Sequence, residues 1–467
     1  MKKNKWLYII IATGFLLRIL FMIKGATIYY GEGKEYTNGD SFSYSGAFIH
    51  LVETGNYTFD PENETADMGR LPGYPFFWGI FYLLAGEEYV YPVVAFAQII
   101  LDCIGILLVY LIVLALTENR KTSLLCAAIY ACYPFIIIWN TITGTESLAT
   151  FCTLFFLWWM TTRKTTGKNV FITGIIIAVS FYVRPYLGVF LAVSWLHLWM
   201  TYRHSFGEWV KKCFLVSFAF GILYLPWPVR NYINHGEIIP TYTVDTGYDC
   251  YAIDVFYCRE WIYCFSQDAD FYLDKIAKDT TRVEIPDGVF SDENEQKQFD
   301  SLVGLSRTCG TGFYNWKTYE KYKGESCNKE ISEGFISLKK SFIKNHPITF
   351  FIKMPLANLS KALFKTTLTS EEGMTGTKKL AVRTLFIYRS LLILLGICAV
   401  FLLPKKWRWV YVFFPLFMYL YISGYLRQIE MRYLLQADIV MIIIAGVTVG
   451  GALGKLNGNK NVEKVNR

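Results

Sequence analysis

The sequence is short of charge, since Asp, Glu, Lys and Arg make up 18% of its 467 residues, against about 25% in soluble proteins. It also lacks the short strands of alternating polarity that a membrane β-barrel needs. No small-residue cleavage site follows the first apolar segment, so we expect no removable signal peptide. What the chain has instead is many apolar runs of roughly 20 residues, the length that crosses a bilayer as a helix. The fold class is therefore an all-α polytopic membrane protein.

The basic residues report topology rather than nucleic-acid binding, although the net charge is +8. Lys and Arg cluster in alternate short loops, which marks those loops as cytoplasmic. We therefore expect both termini in the cytoplasm and a multi-pass protein of the cytoplasmic (inner) membrane. About ten transmembrane helices are predicted, near residues 6–24, 91–115, 122–139, 147–162, 169–183, 186–202, 211–228, 382–403, 409–426 and 433–453.

Two apolar segments, 74–87 and 347–364, are too short to span, and counting either would break the charge pattern. We predict that both lie as helices in the outer interface. Two regions then face outward, the first outer loop 25–90 and a long loop that is large enough to fold as a small domain. The predicted division has three parts. Residues 1–228 form a catalytic transmembrane module with the first outer loop, residues 229–381 form an outer domain, and residues 382–467 form the C-terminal transmembrane helices and a cytoplasmic tail.

Five of the eleven cysteines lie in the long outer loop. An oxidising exterior permits two disulfides and one free thiol there, and the sequence leaves the pairing open. A zinc site is the weaker interpretation because no CxxC spacing occurs. The five are Cys250, Cys258, Cys264, Cys309 and Cys327.

Two charges fall inside predicted spans, Arg18 in the first and Asp102 in the second. Ionisable groups cost a few kcal/mol each in a bilayer and need a partner or a purpose. The favoured interpretation is an ion pair that locks the two helices together. The alternative is that Arg18 faces a cavity for a lipid phosphate.

The remaining notable charges gather at the outer ends of the spans. Each alone fits a structural role, such as a snorkelling arginine or a carboxylate at a helix start. Together they form one layer that suits an anionic ligand carried by a lipid, because arginine stays charged when desolvated and grips phosphate with a planar fork. The layer consists of Asp40, Arg70, Glu146, Arg184, Arg230, Glu430 and Arg432.

The stretch "GDSFSYSGAFIHLVETGNYTF", followed by "GRLPGYPFF", resembles the first outer loop of the GT-C glycosyltransferases of the family-39 type. That branch includes protein O-mannosyltransferases and aminoarabinose transferases. Further similarities are "TES", "RP", "PWPVRNY" and "E-x-R-Y" at later outer turns. The resemblance implies a catalytic Asp40 and substrate-binding roles for Tyr44, Arg70 and Tyr74. The chain departs from the mannosyltransferases, whose Asp-Glu pair is replaced by Asp40 and Ser41, so the acceptor stays open among glycan, lipid and protein.

The resemblance also implies a reaction: transfer of a sugar from a polyprenyl-phosphate donor to an acceptor hydroxyl on the outer, periplasmic side. One base and a neutralised phosphate leaving group favour inversion. Asp40 is the expected base, and Arg184, Arg230 and Arg432 are the expected phosphate ligands. Glu146 is expected to orient the acceptor or Asp40, and Glu430 is counted with the substrate-binding residues. No cofactor is required and no metal constellation is seen, although a divalent ion is possible.

Two other functions stay open. A transporter or flippase of lipid-linked sugars often shows inverted repeats, and none is found in this sequence. An O-antigen polymerase or ligase would rest on outer-loop arginines, without an aspartate soon after the first span. Replacing Asp40 by Asn separates these hypotheses, because only a transferase loses transfer while lipid movement continues.

Overall fold

The structure, a computed structural model, describes residues 5–63, 65–241, 252–278, 282–364 and 376–465. Every regular element in these ranges is helical. The first eleven α-helices are α1 (Lys5–Leu20), α2 (Ala26–Tyr30), α3 (Ser41–Thr54), α4 (Gly73–Thr117), α5 (Arg120–Ala131), α6 (Pro134–Ile137), α7 (Thr145–Thr162), α8 (Gly167–Val183), α9 (Phe190–Tyr202), α10 (Phe206–Tyr224) and α11 (Pro226–His235). A π-helical turn (Phe21–Gly25) joins α1 to α2, and a 3₁₀ turn (Pro185–Val189) precedes α9.

The second half is helical as well. These helices are α12 (Ile253–Ile262), α13 (Ala269–Lys278), α14 (Glu293–Cys309), α15 (Thr311–Thr318), α16 (Asn328–Asn345), α17 (Met354–Phe364), α18 (Gly376–Ala399), α19 (Lys405–Leu420) and α20 (Met431–Val465). Two π-helical segments (Thr349–Lys353 and Tyr421–Leu426) and a 3₁₀ turn (Val400–Leu402) complete the chain.

Five helical segments among the described residues are long and apolar enough to cross a membrane. A sixth is added if α10 and α11, which meet at a bend of 41°, count as one span. The protein is therefore a multi-pass membrane protein. Several other predicted spans fall on shorter helices, such as α5 with 12 residues and α9 with 13, so the number ten stays a prediction. The five segments are Lys5–Tyr30, Gly73–Thr117, Lys379–Ala399, Lys406–Leu426 and Met431–Thr448.

The long α4 is broken at Gly86, whose φ of 73° lies in the left-handed region that glycine adopts without a steric penalty. The break falls between the predicted interfacial helix 74–87 and the predicted span 91–115. On the first part, four apolar side chains at helical spacing are exposed, as an interfacial helix requires. Its placement in the interface stays a prediction, and the four side chains are Phe76, Ile80, Leu83 and Leu84.

Arg18 and Asp102 form the predicted ion pair, with Nε 2.6 Å from Oδ2 and both side chains buried. The carboxylate also accepts hydrogen bonds from Asn140 Nδ2 at 2.7 Å and from the Tyr130 hydroxyl. Arg18 Nη1 donates to the carbonyl of Ala131 at 2.8 Å. The alternative, in which Arg18 faces a lipid-phosphate cavity, is wrong, because its side chain is fully enclosed by these groups.

A second buried ion pair was not predicted. Arg389 on α18 binds both carboxylate oxygens of Asp438 on α20, at 2.7 and 2.8 Å. The hydroxyls of Tyr133 and Tyr419 donate to the same carboxylate at 2.8 and 3.0 Å. This cluster therefore ties α18, α19 and α20 to the segment that follows α5.

Helices α12 to α16, which belong to the predicted outer domain, have an apolar core of their own, centred on Trp261, which is 1% exposed. A disulfide joins Cys309 to Cys327. Cys258 and Cys264 are free thiols inside this core, and Cys250 lies outside the described residues. One of the two expected disulfides is thus present among the described residues, and burial in apolar surroundings explains why the other two described thiols behave as small hydrophobic groups.

Candidate functional site

One cavity of about 270 Å³ opens where α3, the 3₁₀ turn and the start of α20 come together. Its wall mixes aromatic rings with charged groups drawn from distant parts of the sequence. Five of the residues singled out from the sequence take part in the lining: Asp40, Tyr44, Arg70, Arg184 and Arg432. The tertiary fold therefore assembles much of the predicted charged layer around one space.

Asp40 sits at the N-cap of α3, and its side chain makes no capping hydrogen bond. The carboxylate instead lies between two arginines, with Oδ1 3.0 Å from Arg70 Nη2 and Oδ2 2.5 Å from Arg432 Nη1. Burial acts to raise the pKa of Asp40, but the charges and hydrogen bonds of Arg432 and Arg70 outweigh it, so that pKa lies below its ordinary value. Asp40 is therefore an ionised group held at the cavity wall, with 29% of its side chain exposed.

Arg70 is positioned by the first outer loop. Its Nε donates to Ser43 Oγ at 2.8 Å, and its guanidinium lies 4.3 Å from the ring centre of Tyr44. Tyr44 in turn packs edge-on against Tyr74. Tyr74 is fully buried behind the cavity, where its hydroxyl donates to Gln98 at 2.9 Å. Tyr74 thus supports Tyr44 rather than lining the cavity.

Glu146 and Arg184 form a buried ion pair next to the Asp40 carboxylate and its two arginines. Arg184 Nη2 donates to Glu146 Oε1, and Nε donates to Thr145 Oγ1 at the start of α7. Arg184 Nη1 also donates to the Tyr186 hydroxyl at 3.0 Å, and that hydroxyl donates to Gln436 at 2.8 Å. Glu146 is therefore placed to orient Arg184 from behind, while Arg184 itself reaches the cavity.

Glu430 lies immediately before α20, and Arg432 lies in the first turn of that helix. Glu430 Oε2 accepts a hydrogen bond from Arg432 Nε at 2.6 Å, and Glu430 Oε1 accepts one from Gln428 Nε2. Gln428 lines the cavity and was not predicted. Its place two residues before a carboxylate that fixes a site arginine was the available signal.

Arg230 is a predicted site residue that lies outside the cavity lining, in a separate cluster. Its Nη2 binds Asp67 Oδ2 at 3.0 Å and the Tyr57 carbonyl at 3.2 Å. His235 Nε2 lies 3.0 Å from the same carboxylate. This cluster fastens α11 to the first outer loop, so the position of Arg230 does not support its expected role as a phosphate ligand. Asp67, its partner, carried no signal in the sequence.

Within the described ranges, no group of three or more His, Cys, Asp or Glu side chains could hold a metal ion. Asp40 is the one carboxylate among the described residues that line the cavity. Both of its oxygens bind arginines. This donor set does not fit Mg²⁺ or Ca²⁺, which take six or more oxygen ligands.

Comparisons with known proteins support the resemblance to glycosyltransferases. A family model described as dolichyl-phosphate-mannose-protein mannosyltransferase matches residues 69–229. Among solved structures, the oligosaccharyltransferase of Archaeoglobus fulgidus tethered with an acceptor peptide gives a TM-score of 0.54 at 12% identity, covering 99% of this chain and 51% of its own. The resemblance to the GT-C glycosyltransferases is confirmed.

Two further structures of archaeal oligosaccharyltransferase from Archaeoglobus fulgidus are similar to this chain in fold. One is a complex with an inhibitory peptide and a dolichol-phosphate, with a TM-score of 0.52 at 12% identity, covering 99% of this chain and 52% of its own. The other is a complex with Zn and sulfate, with a TM-score of 0.52 at 14% identity, covering 97% and 49%. A search of curated protein sequences finds no significant match. The chain thus spans about half the length of these structures.

Residues 69–229 contain Arg70, Tyr74, Glu146 and Arg184. Asp40 and Arg432 lie on either side of the matched range, and the fold brings them back to it. Assignment of their roles therefore depends on the geometry of the cavity.

Proposed function

We propose that this GT-C protein is an inverting glycosyltransferase with Asp40 as general base. It takes a sugar from a polyprenyl-phosphate donor and transfers it to an acceptor hydroxyl at the outer, periplasmic face of the cytoplasmic membrane. The observation that carries the proposal is the Asp40 carboxylate, held between Arg70 and Arg432 in a cavity that Arg184 also lines.

The three arginines can serve the leaving phosphate. A donor phosphate entering the cavity competes with the Asp40 carboxylate for Arg432 and Arg70, because guanidinium binds either anion with the same planar fork. Arg184, oriented by Glu146, offers a third positive charge. These charges stabilise the phosphate as the bond from the anomeric carbon to the phosphate oxygen breaks.

The same exchange prepares the base. As the arginines turn to the phosphate, Asp40 loses the charges that depress its pKa and becomes better able to take a proton. The acceptor oxygen then bonds to the anomeric carbon, its proton passes to Asp40, and polyprenyl phosphate leaves. A single displacement of this kind inverts the anomeric configuration.

The partners proposed for this chain follow from its relatives. The archaeal oligosaccharyltransferase has been seen with an acceptor peptide and with a dolichol-phosphate, and a polyprenyl-phosphate sugar is accordingly our donor. The acceptor is a glycan, lipid or protein hydroxyl. No nucleic acid takes part, and no metal enters the proposed steps.

The test compares two aspartates of the first outer loop. Cells producing wild-type protein, Asp40→Asn or Asp67→Asn are compared by mass spectrometry of their surface glycans and lipid carriers, at matched protein levels in the membrane. Asp67 is the control, because it also binds an arginine but lies outside the cavity lining.

The product should vanish in Asp40→Asn, since loss of a general base costs about 100-fold or more. It should persist in Asp67→Asn. Asp40→Asn protein that keeps a tenth of the wild-type product would exclude Asp40 as the base. Continued movement of a lipid-linked sugar, with no transfer even in wild-type cells, would instead favour a flippase.

A further inference from the structure

The chain that leads to Arg432 leaves α19 through a π-helix. Residues 421–433, here called the wall segment, supply six of the residues that line the cavity. Their first part is a π-helix, closed by the amide of Arg427, which donates to the Ile422 carbonyl at 2.8 Å. Arg427 itself has a φ of 57°, a left-handed conformation that costs a residue with a side chain about 1 kcal/mol or more. Such a conformation persists only where surrounding contacts hold it.

The side chain of Arg427 supplies those contacts. Nε donates to the Gly424 carbonyl at 3.0 Å, inside the wall segment. Nη1 donates to the Tyr263 carbonyl at 3.2 Å and Nη2 to the Phe350 carbonyl at 2.9 Å. The guanidinium also lies 3.7 Å from the ring centre of Phe350. One buried arginine therefore joins the wall segment to α12 of the outer domain and to the helix that follows α16.

A second contact joins the same parts. Asn358 on α17 donates to the Ser423 carbonyl at 3.0 Å and accepts a hydrogen bond from Gln267 at 3.0 Å. Asn358 is 1% exposed. The carbonyls of Ser423 and Gly424, at the end of the π-helix, are thus bound by side chains, and a buried carbonyl left unpaired there would be costly.

The wall segment then leads directly to the base. Gln428 and Leu426, on either side of Arg427, line the cavity. Gln428 binds Glu430, Glu430 binds Arg432, and Arg432 binds Asp40. Arg427 touches none of the groups that we expect to meet substrate.

We propose that Arg427 is a positioning residue, which ties the wall segment to the outer domain and thereby holds Arg432 where it meets Asp40 and the donor phosphate. The proposal rests on the function proposed above. In this proposal the outer domain contributes to donor binding, because Arg427 transmits its contacts to the wall segment.

The experiment uses Arg427→Lys, which keeps the charge but loses the fork, and Arg427→Gly, which also relieves the left-handed backbone. Arg307→Lys is the matched control. Arg307 likewise donates to two backbone carbonyls of the outer domain, those of Ile276 and Lys275 at 2.9 and 3.2 Å, and these bonds lie away from the wall segment. Full-length variants are compared by hydrogen exchange and by the KM values for donor and acceptor.

Arg427→Lys and Arg427→Gly should speed amide exchange across 421–433 and raise the KM for the lipid donor about tenfold, as expected for a disturbed charged hydrogen bond. The KM for the acceptor should stay unchanged. Arg307→Lys should leave both KM values and the exchange of 421–433 as in the wild type. A purely structural role would lower the active fraction and thus kcat, and leave the donor KM unchanged.

Two results would overturn the proposal: wild-type exchange of the wall segment in both Arg427 variants, or a donor KM that follows the Arg307→Lys control. Wild-type protein that transfers no sugar would defeat the proposed function instead. The exchange of the wall segment would then still decide whether Arg427 holds it.

Discussion

Among the carboxylates that bind arginine in the described residues, three illustrate two different settings. Asp102 and Asp438 lie inside the helix bundle, where each side chain is 1% exposed and accepts hydrogen bonds from tyrosine as well as arginine. Asp40 lies at a cavity wall with 29% of its side chain exposed, and arginines are its ion-pair partners on both oxygens. We call Arg18–Asp102 and Arg389–Asp438 the sealed pairs. Asp40 with Arg70 and Arg432 is called the open cluster.

The difference in exposure between these carboxylates distinguishes a role in stability from a role in function. A buried ion pair gives little net stability, but removing one partner leaves an uncompensated charge in a medium that solvates it poorly. The sealed pairs are closed to ligands, so their role is to fix which helices meet. The open cluster lines the cavity and is partly exposed, so we expect that it can exchange its internal anion for an external one.

Breaking a sealed pair should give the largest effect on stability. Asp438→Asn leaves Arg389 buried without a counter-charge and should cost about 3–5 kcal/mol of unfolding free energy. The double variant Arg389→Met with Asp438→Leu should recover part of this loss, since it removes the unpaired charge. The Tyr133 and Tyr419 hydroxyls lose their acceptor in this variant, which limits the recovery. Unfolding in detergent at several denaturant concentrations measures it. Asp40→Asn should shift stability far less, and an equal loss there would remove the distinction between the two settings.

A third kind of carboxylate, which is buried and accepts hydrogen bonds from backbone amides, extends the comparison with the sealed pairs. Asp254 in the outer domain accepts hydrogen bonds from the amides of Gly312 and Phe313, and burial raises its pKa from 3.8 to about 6. The folded state thus binds this proton more tightly than the unfolded state. Asp254 therefore contributes roughly 3 kcal/mol to the free energy of unfolding below about pH 4, and this contribution is lost as the pH rises through about 6.

Amide exchange of α15 in the full-length protein measures this effect, after correction for intrinsic exchange rates. Protection of Gly312 and Phe313 should decrease from pH 4 to pH 6 in the wild type. In Asp254→Asn it should be independent of pH over that range. Protection that instead rises with pH would mean that the folded protein favours ionised Asp254.

Lysine replacements should distinguish the arginines that line the cavity from Arg230, which does not line it. Arg184→Lys and Arg432→Lys should lower transfer at least roughly tenfold, because lysine keeps the charge but loses the fork that grips phosphate. Arg230→Lys should stay near wild type, since Arg230 binds Asp67 outside the cavity lining. Initial rates with a polyprenyl-phosphate sugar give the comparison. Wild-type rates in the first two variants would mean that those arginines only anchor helices.

The open cluster could be predicted from sequence to the extent that its residues have signatures. Asp40, Arg70 and Arg432 lie in family-like phrases or beside apolar spans, and Arg18 with Asp102 stood out as charges within spans. Arg389 and Asp438 lie in predicted spans as well, so their charges carry the same signal. Gln428 has a weak signal, its place two residues before Glu430. Asp67 has none, because its role comes from a partner 163 residues away.

The central claim is that the arginines of the open cluster exchange Asp40 for a phosphate. Equilibrium binding of polyprenyl phosphate to wild-type protein and to Asp40→Asn tests it most directly. Asp40→Asn should bind the lipid more tightly, by several fold or roughly 1 kcal/mol, because the competing carboxylate charge is gone while the arginines remain. Weaker binding to Asp40→Asn than to the wild type would contradict the account, since Asp40 would then help to hold the lipid rather than compete with it.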